Sequence, residues 1–218
     1  MPPFFTIAIP TYNRKGLLKE SIQSCLWQTF GDFELVIAND YPQEALTQEM
    51  LGVNDKRIRI INRPKNLGAL LNMNALIVEA KGSYFVWLSD DDMFMPSFLH
   101  QAAEAIKLYP NAAAFYSTFI LGLQYPGTMA EKKGEINYFN GRNFLRKYLN
   151  QCFQIQGWYG VFKTSFFKKL GGMEQLGKAW YSPCSDALIP IRMSMLSDVV
   201  FINTPLICYR THEDSISQ

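Results

Sequence analysis

From residue 4 to residue 88 the chain repeats one rhythm: a short apolar run, a polar break, then apolar residues at helical spacing. The apolar runs fall at 4–9, 33–38, 58–62 and 84–88. The first, 4–9, is a nearly unbroken apolar run ending at Pro10, which marks a buried strand. Between the first two, Leu17, Leu18, Ile22, Cys25 and Leu26 recur on one helical stripe until Gly31-Asp32 breaks it. A polar helix is expected over 44–51, and a further helix over 67–80, entered through Asn66 and closed by Lys81-Gly82. Strand–helix alternation of this kind predicts right-handed βαβ units, hence a parallel sheet with helices on both faces. In such sheets ligands bind outside the carboxyl ends of the strands. The polar clusters at those ends are Pro10 to Arg14, Asn39-Asp40 and Ser89 to Asp92, and the topology brings all three to one rim.

The last cluster carries three consecutive carboxylates, Asp90, Asp91 and Asp92, four residues before Pro96 at its third member. Two unit charges about 4 Å apart repel by about 1 kcal/mol in water and roughly 4 at an effective dielectric of about 20. Such a run calls for a positive partner, and oxygen ligands select a hard divalent cation. The competing explanation is a solvated loop whose last aspartate caps the helix that Pro96 opens.

A helix is expected from Pro96 through Leu108, followed by a β-like stretch at 112–123 and an irregular excursion at 124–140. Beyond it come a helix at 142–149, a short strand at 160–162 and a helix at 164–170 stopped by Gly171-Gly172. A helix opened by Asp186 and strands at 199–202 and 206–209 complete the chain. The 218 residues are read as one domain, 1–110 forming one half and 111–218 a mixed second half lying across the carboxyl edge of the first. A formal net charge of +2 without a clustered basic face argues against nucleic-acid binding. Basic residues do gather at 142–147 and 163–169, which leaves a peripheral contact with an anionic membrane surface open. The N-terminus lacks a signal-peptide layout, no apolar stretch reaches the about 18 residues needed to cross a bilayer, and the four cysteines show no metal-site spacing. These features predict a cytoplasmic location and reduced thiols.

Ile9-Pro10-Thr11-Tyr12-Asn13-Arg14 resembles the opening strand and loop of the family 2 glycosyltransferases, which share the nucleotide-sugar-binding GT-A fold. The resemblance continues in order through Gln28-Thr29-Phe30, Asn39-Asp40, Asn66-Leu67-Gly68, Asp91-Asp92 with Pro96, Leu170-Gly171-Gly172, Ser185-Asp186 and Tyr209-Arg210-Thr211-His212. It implies a Rossmann-like, mostly parallel sheet flanked by helices, with a mixed acceptor-side subdomain. It also implies inverting transfer of a sugar from a nucleotide diphosphate donor, in polysaccharide or glycolipid assembly. A UDP-sugar is the favoured donor and a dTDP-sugar the next. The acceptor is a glycan or lipid-linked hydroxyl, and the oligomeric state stays open.

Within that resemblance, Pro10, Tyr12, Asp40, Asn66 and Asp90 are expected to line the donor site. Asp40 would accept the imide N–H of the base, with turn capping ahead of Tyr41-Pro42 as the alternative, and Tyr12 would stack on the base or close the rim. Asp91, with His212, would hold Mn²⁺ or Mg²⁺ against the donor diphosphate. Asp186 would act as the base that takes the acceptor's proton, with helix capping as its alternative. Trp158 and Trp180 lie in the acceptor half, where sugar stacking and core packing are both open. The chain departs from the family pattern at Ser89 and Ser185, both usually acidic, which keeps a catalytically inactive carbohydrate-binding module as an alternative. A nucleotidyltransferase fits less well, because the loop after the first strand has no glycine, and no dinucleotide-binding glycine fingerprint follows any strand.

Overall fold

The computed structural model describes residues 1–122, 134–176 and 185–211. Strands β1 (Phe5–Thr11), β2 (Phe33–Asn39), β3 (Ile58–Asn62) and β4 (Tyr84–Trp87) run parallel in the order β3-β2-β1-β4. The second half adds β5 (Met93–Phe94), β6 (Ala114–Gly122), β7 (Ile136–Phe139), β8 (Val161–Lys163) and β9 (Val199–Arg210). Its mixed pairing continues the same sheet as β4-β8-β6-β9-β5, with β7 also on β9.

The two-residue period of the strands divides the core between two faces. Phe5, Ile7, Ile9, Leu35 and Ile37 point to one side, where they meet Leu18, Ile22 and Cys25 of α1 (Lys15–Leu26). Ala8, Val36, Ala38, Phe85 and Trp87 point to the other. There they meet Leu76 and Ile77 of α3 (Ala69–Glu79), whereas the short α2 (Gln48–Leu51) lies between β2 and β3 in sequence. Helix α4 (Phe98–Leu108) covers the first face with Leu99, Ala102 and Ile106. Helices α5 (Gly141–Leu149), α6 (Thr164–Leu170) and α7 (Leu188–Leu196) cover the second with Phe144, Phe167 and Met193. Full burial of side chains this size stabilises by about 1.5–3 kcal/mol each, so the two layers fix the strand ends firmly in space.

Several boundaries differ from the sequence expectation for identifiable reasons. Helix α2 begins only at Gln48, because residues before it are tied down by side chains: Asn39 Nδ2 donates to the Glu44 carbonyl at 2.8 Å and Asn62 Oδ1 accepts the Leu46 N–H at 2.8 Å. Helix α3 starts at Ala69 because Gly68 holds a φ of 83°, outside the helical range, while Asp40 accepts the N–H groups of Leu67 and Gly68 ahead of it, each at 2.8 Å. The two late strands are one continuous β9. Its register against β6 shifts where Thr118 faces Pro205, a residue without an N–H to offer the ladder. Gly171 ends α6 at a φ of 82°, in the left-handed conformation that glycine adopts freely. Among the described residues no helix is long and apolar enough to cross a membrane.

Candidate functional site

At the carboxyl ends of β1, β2 and β4 the backbone passes from the sheet into three loops, and their polar side chains meet. Thr11, the last residue of β1, links the other two. Its carbonyl accepts the Asp40 N–H at 2.9 Å, and its hydroxyl donates to Asp90 Oδ2 at 2.6 Å. Asp40 and the acidic run therefore share one rim, as the topology requires. Pro10 lies partly buried one residue before Thr11, and Tyr12, 48% exposed, sits one residue after it with its ring edge-on to Tyr41 at 5.3 Å.

Asp40 is only 3% exposed, and both of its oxygens accept backbone N–H groups, from Leu67 and Gly68. Its capping role is thus at the entry to α3 rather than at Tyr41-Pro42. Exposed Asn66 joins the same turn, its Oδ1 accepting the Gly68 N–H at 2.8 Å. A carboxylate has about four lone-pair positions, so two remain for a ligand N–H.

The acidic run lies between β4 and β5, and its members differ. Asp90 is buried, and burial pushes its carboxyl up to about 6 against the opposing effect of the Thr11 hydroxyl; the Asp91 charge raises it further and Arg14 lowers it. Asp91 and Asp90 both face the Arg14 guanidinium, whose Nη1 is 2.9 Å from Asp91 Oδ2 and 3.7 Å from Asp90 Oδ1. Asn13 makes this possible with a φ of 55°, a left-handed turn that asparagine tolerates. Asp92 faces inward instead. Its Oδ1 accepts the Arg210 N–H at 2.8 Å, its Oδ2 accepts the Tyr159 hydroxyl, and burial raises its carboxyl to about 7. Burial likewise pushes the Tyr159 phenol well above its ordinary range.

Arg210 locks this arrangement to α1. Its Nε donates to the Asp91 carbonyl, and Nη1 pairs with Glu20 at 2.5 Å. Asp186 reaches the cluster through a 3₁₀ turn, η1 (Gly157–Tyr159). At one end of η1 a Cβ on Gly157 would lie 1.9 Å from the Asp186 carbonyl oxygen, so only glycine fits; at the other end Tyr159 grips Asp92. Asp186 precedes α7 rather than opening it, and Ala187 occupies the cap position without a side-chain cap bond. Burial raises the Asp186 carboxyl above its ordinary value. Ser185 is turned away, donating to the Glu174 carbonyl at 2.7 Å.

The structure therefore brings together Pro10, Tyr12, Asp40, Asn66, Asp90 and Asp91, and connects Asp186 to them through η1. His212 and Trp180 lie outside the described residues. Trp158 is half-buried and packs against both cores, and its indole N–H has no partner among the described residues. Among the described residues no three His, Cys, Asp or Glu side chains are placed to share one metal ion. Asp90 and Asp91 nonetheless fit a hard cation with two protein ligands: they are oxygen donors already converging on one cationic group, the Arg14 guanidinium. Thr11, Arg14, Tyr159, Gly157 and Arg210 were given no role by the sequence. Arg14 and Arg210 stand inside the quoted motifs, which was the signal available for them.

A sequence profile described as Glycosyl transferase family 2 matches residues 6–171, most of the chain, ending before Asp186. The chain is 26% identical over 212 residues to the uncharacterized glycosyltransferase RT0329 of Rickettsia typhi, covering 97% of this chain and 65% of that protein. It is 35% identical over 99 residues to WcaA of Escherichia coli (strain K12), whose name places it in colanic acid biosynthesis, covering 44% of this chain and 36% of the relative. Among solved structures it resembles S. aureus TarS 1-349 in complex with UDP-GlcNAc, with a TM-score of 0.71 at 17% identity over 97% of this chain and 59% of that one. The TarS complex with UDP gives 0.69 at 16%, covering 95% and 60%. At these identities the structural likeness shows the fold. The chain spans about two thirds or less of the length of these relatives.

Proposed function

Because the chain belongs to glycosyl transferase family 2, we propose that it moves a sugar from a UDP-sugar to an acceptor hydroxyl with inversion, in the assembly of a polysaccharide or glycolipid. The observation that carries this reading is the shared rim: Thr11 ties Asp40 to Asp90, while Asp90 and Asp91 converge on one cationic position. The TarS complexes with UDP and UDP-GlcNAc support a donor of that class on the same fold.

In this reading Asp40 accepts the uracil imide N–H through a free lone pair, and a base lacking that donor leaves a buried acceptor unpaired at about 1–3 kcal/mol. Thymine presents the same imide, which leaves a dTDP-sugar as the next donor. Tyr12, Pro10 and Asn66 border the base and ribose. Asp91, with Asp90 beside it, would hold Mn²⁺ or Mg²⁺, which would supply positive charge to offset that on the departing diphosphate.

Asp186 takes the proton of the acceptor hydroxyl as its oxygen bonds to the anomeric carbon, and the bonding pair of the broken C–O bond leaves with UDP. One base and one leaving group give a single displacement and hence inversion. The raised affinity of Asp186 for a proton makes it a stronger base than a solvated aspartate. The acceptor is a glycan or a lipid-linked hydroxyl, and the setting a cytoplasmic one.

A thermal-shift panel of UDP, dTDP, GDP and CDP, each with and without Mn²⁺, tests the reading. UDP with Mn²⁺ should stabilise most and dTDP next. A preference for GDP or CDP, or indifference to the metal, contradicts the roles given to Asp40 and Asp91. Hydrolysis of a UDP-sugar then separates an enzyme from a binding module.

A further inference from the structure

We infer that the junction of α5, α6 and α7 is a docking face for an anionic lipid surface. The basic residues gathered at 142–147 and at 163–169 lie apart in sequence, and the fold joins them. Arg142, in the first turn of α5, and Lys163, the last residue of β8, line one open groove of about 510 Å³ together with Phe166, Met195, Leu196 and Asp198. Among the described residues Arg142, Arg146 and Lys163 have no ion-pair partner. The acidic side chain of the groove, Asp198, already accepts the Tyr138 hydroxyl at 2.5 Å.

Helix α5 has two unlike sides. Phe144 is buried, and opposite it Arg142, Leu145, Arg146 and Leu149 recur three and four residues apart, with Arg142, Arg146 and Leu149 exposed. Beside the groove, the end of α7 holds Met195 and Leu196 out of the core, 71% and 62% exposed. Unpaired cations alone fit any polyanion, and exposed aliphatic side chains alone fit any apolar partner. Interspersed on one face, they match a bilayer carrying anionic lipid: headgroup phosphates neutralise the cations while leucine and methionine enter the acyl boundary. The long arms of arginine and lysine reach the headgroups without lifting their apolar neighbours out of that boundary.

The topology fixes how such a chain would sit. β8 is antiparallel to both β4 and β6, and β9 is parallel to β6, so β6 and β9 point the same way as β4. The groove lies just before their first residues, at Ala113 and Asp198, on the sheet edge opposite the carboxyl rim. A chain docked through it keeps the rim in water, open to a soluble nucleotide.

The test is co-sedimentation of the intact chain with vesicles of phosphatidylcholine alone and of phosphatidylcholine with about 30% phosphatidylglycerol, at low and high NaCl. The chain should bind the mixed vesicles only, and less as salt rises, because screening weakens attraction to the surface. Arg142→Gln with Lys163→Gln should lower the partition coefficient at least about tenfold, since each basic residue near an anionic leaflet contributes separately. Met195→Ser with Leu196→Ser should weaken binding several-fold at either salt concentration. Lys19→Gln with Lys56→Gln, cations of the first half, should bind as wild type does. Absence of binding to the mixed vesicles overturns the inference, and so does an equal loss in the Lys19–Lys56 variant, which would mean attraction by net charge alone. A dimer in solution that Met195→Ser with Leu196→Ser separates, without vesicle binding, would make this face an interface between copies instead. Should the Arg142–Lys163 variant fail to melt cooperatively by circular dichroism, Arg146→Gln, at an exposed helix position, makes the same comparison with a smaller expected loss.

Discussion

The Thr11 hydroxyl donates to Asp90 Oδ2 at 2.6 Å, joining the end of β1 to a loop 79 positions further along the chain. Burial raises the Asp90 carboxyl and this bond opposes that rise, so Thr11 sets how readily Asp90 carries a charge. Thr11→Val keeps the shape and removes the donor. It should lower stability by about 1–3 kcal/mol, the range for leaving a buried polar group short of a partner. A melt followed by circular dichroism, with Mn²⁺-dependent UDP binding measured beside it, checks both effects; an unchanged melt removes Thr11 from this role.

Asp91→Asn removes the charge that meets Arg14 at 2.9 Å while preserving the size of the side chain. The variant should still bind UDP without metal, and the extra stabilisation that Mn²⁺ confers on the wild-type complex should disappear. Retention of that Mn²⁺ increment in a thermal-shift assay would move the metal ligand elsewhere.

Asp186→Asn should leave UDP affinity within error of wild type and reduce transfer by 10² to 10⁴-fold, roughly the contribution of a positioned general base. The pH profile carries a second check. Only the deprotonated carboxylate accepts a proton, and burial holds Asp186 above the usual 3.8. Activity should therefore fall with decreasing pH sooner than for a solvated aspartate. An acid limb at or below the solvated value would contradict the base assignment.

Gly157→Ala puts a Cβ where the Asp186 carbonyl oxygen lies 1.9 Å away, and a second contact at 3.2 Å from the Pro190 Cδ offers no room to retreat. The turn η1 and Asp186 must then separate. Transfer should drop by at least about tenfold, because small misplacements of a reacting group are costly, while UDP binding holds. Single-turnover rates with saturating donor would reveal the change, and wild-type rates would show that η1 does not position Asp186.

The first half of the fold was legible because its information is local. Apolar runs such as 84–88 and the stripe of Leu18, Ile22 and Cys25 each specify an element within a dozen residues, and the strand ends then follow from topology. The gathering of Asp40 with Asp90 and Asp91 was legible for the same reason. What stayed hidden depends on partners far apart in sequence. Nothing near Tyr159 announces that its hydroxyl meets Asp92, and nothing near Asp40 announces that its oxygens hold Leu67 and Gly68. The break expected between 202 and 206 disappeared because a shifted register lets β9 pass Pro205 without losing its place beside β6.

Arg210 reaches Glu20 across 190 positions and, through its backbone N–H, Asp92 across 118. These are among the most distant contacts in the chain, and closing loops of that length is slow compared with forming a helix or a neighbouring strand pair. The carboxyl edge of the sheet, where Asp91 and Asp92 meet Arg210, is consequently among the last of the described parts to set. Thr11, Arg14 and Tyr159 hold the three aspartates from earlier in the chain, and the grip of Arg210 on Asp91 and Asp92 is added only with β9.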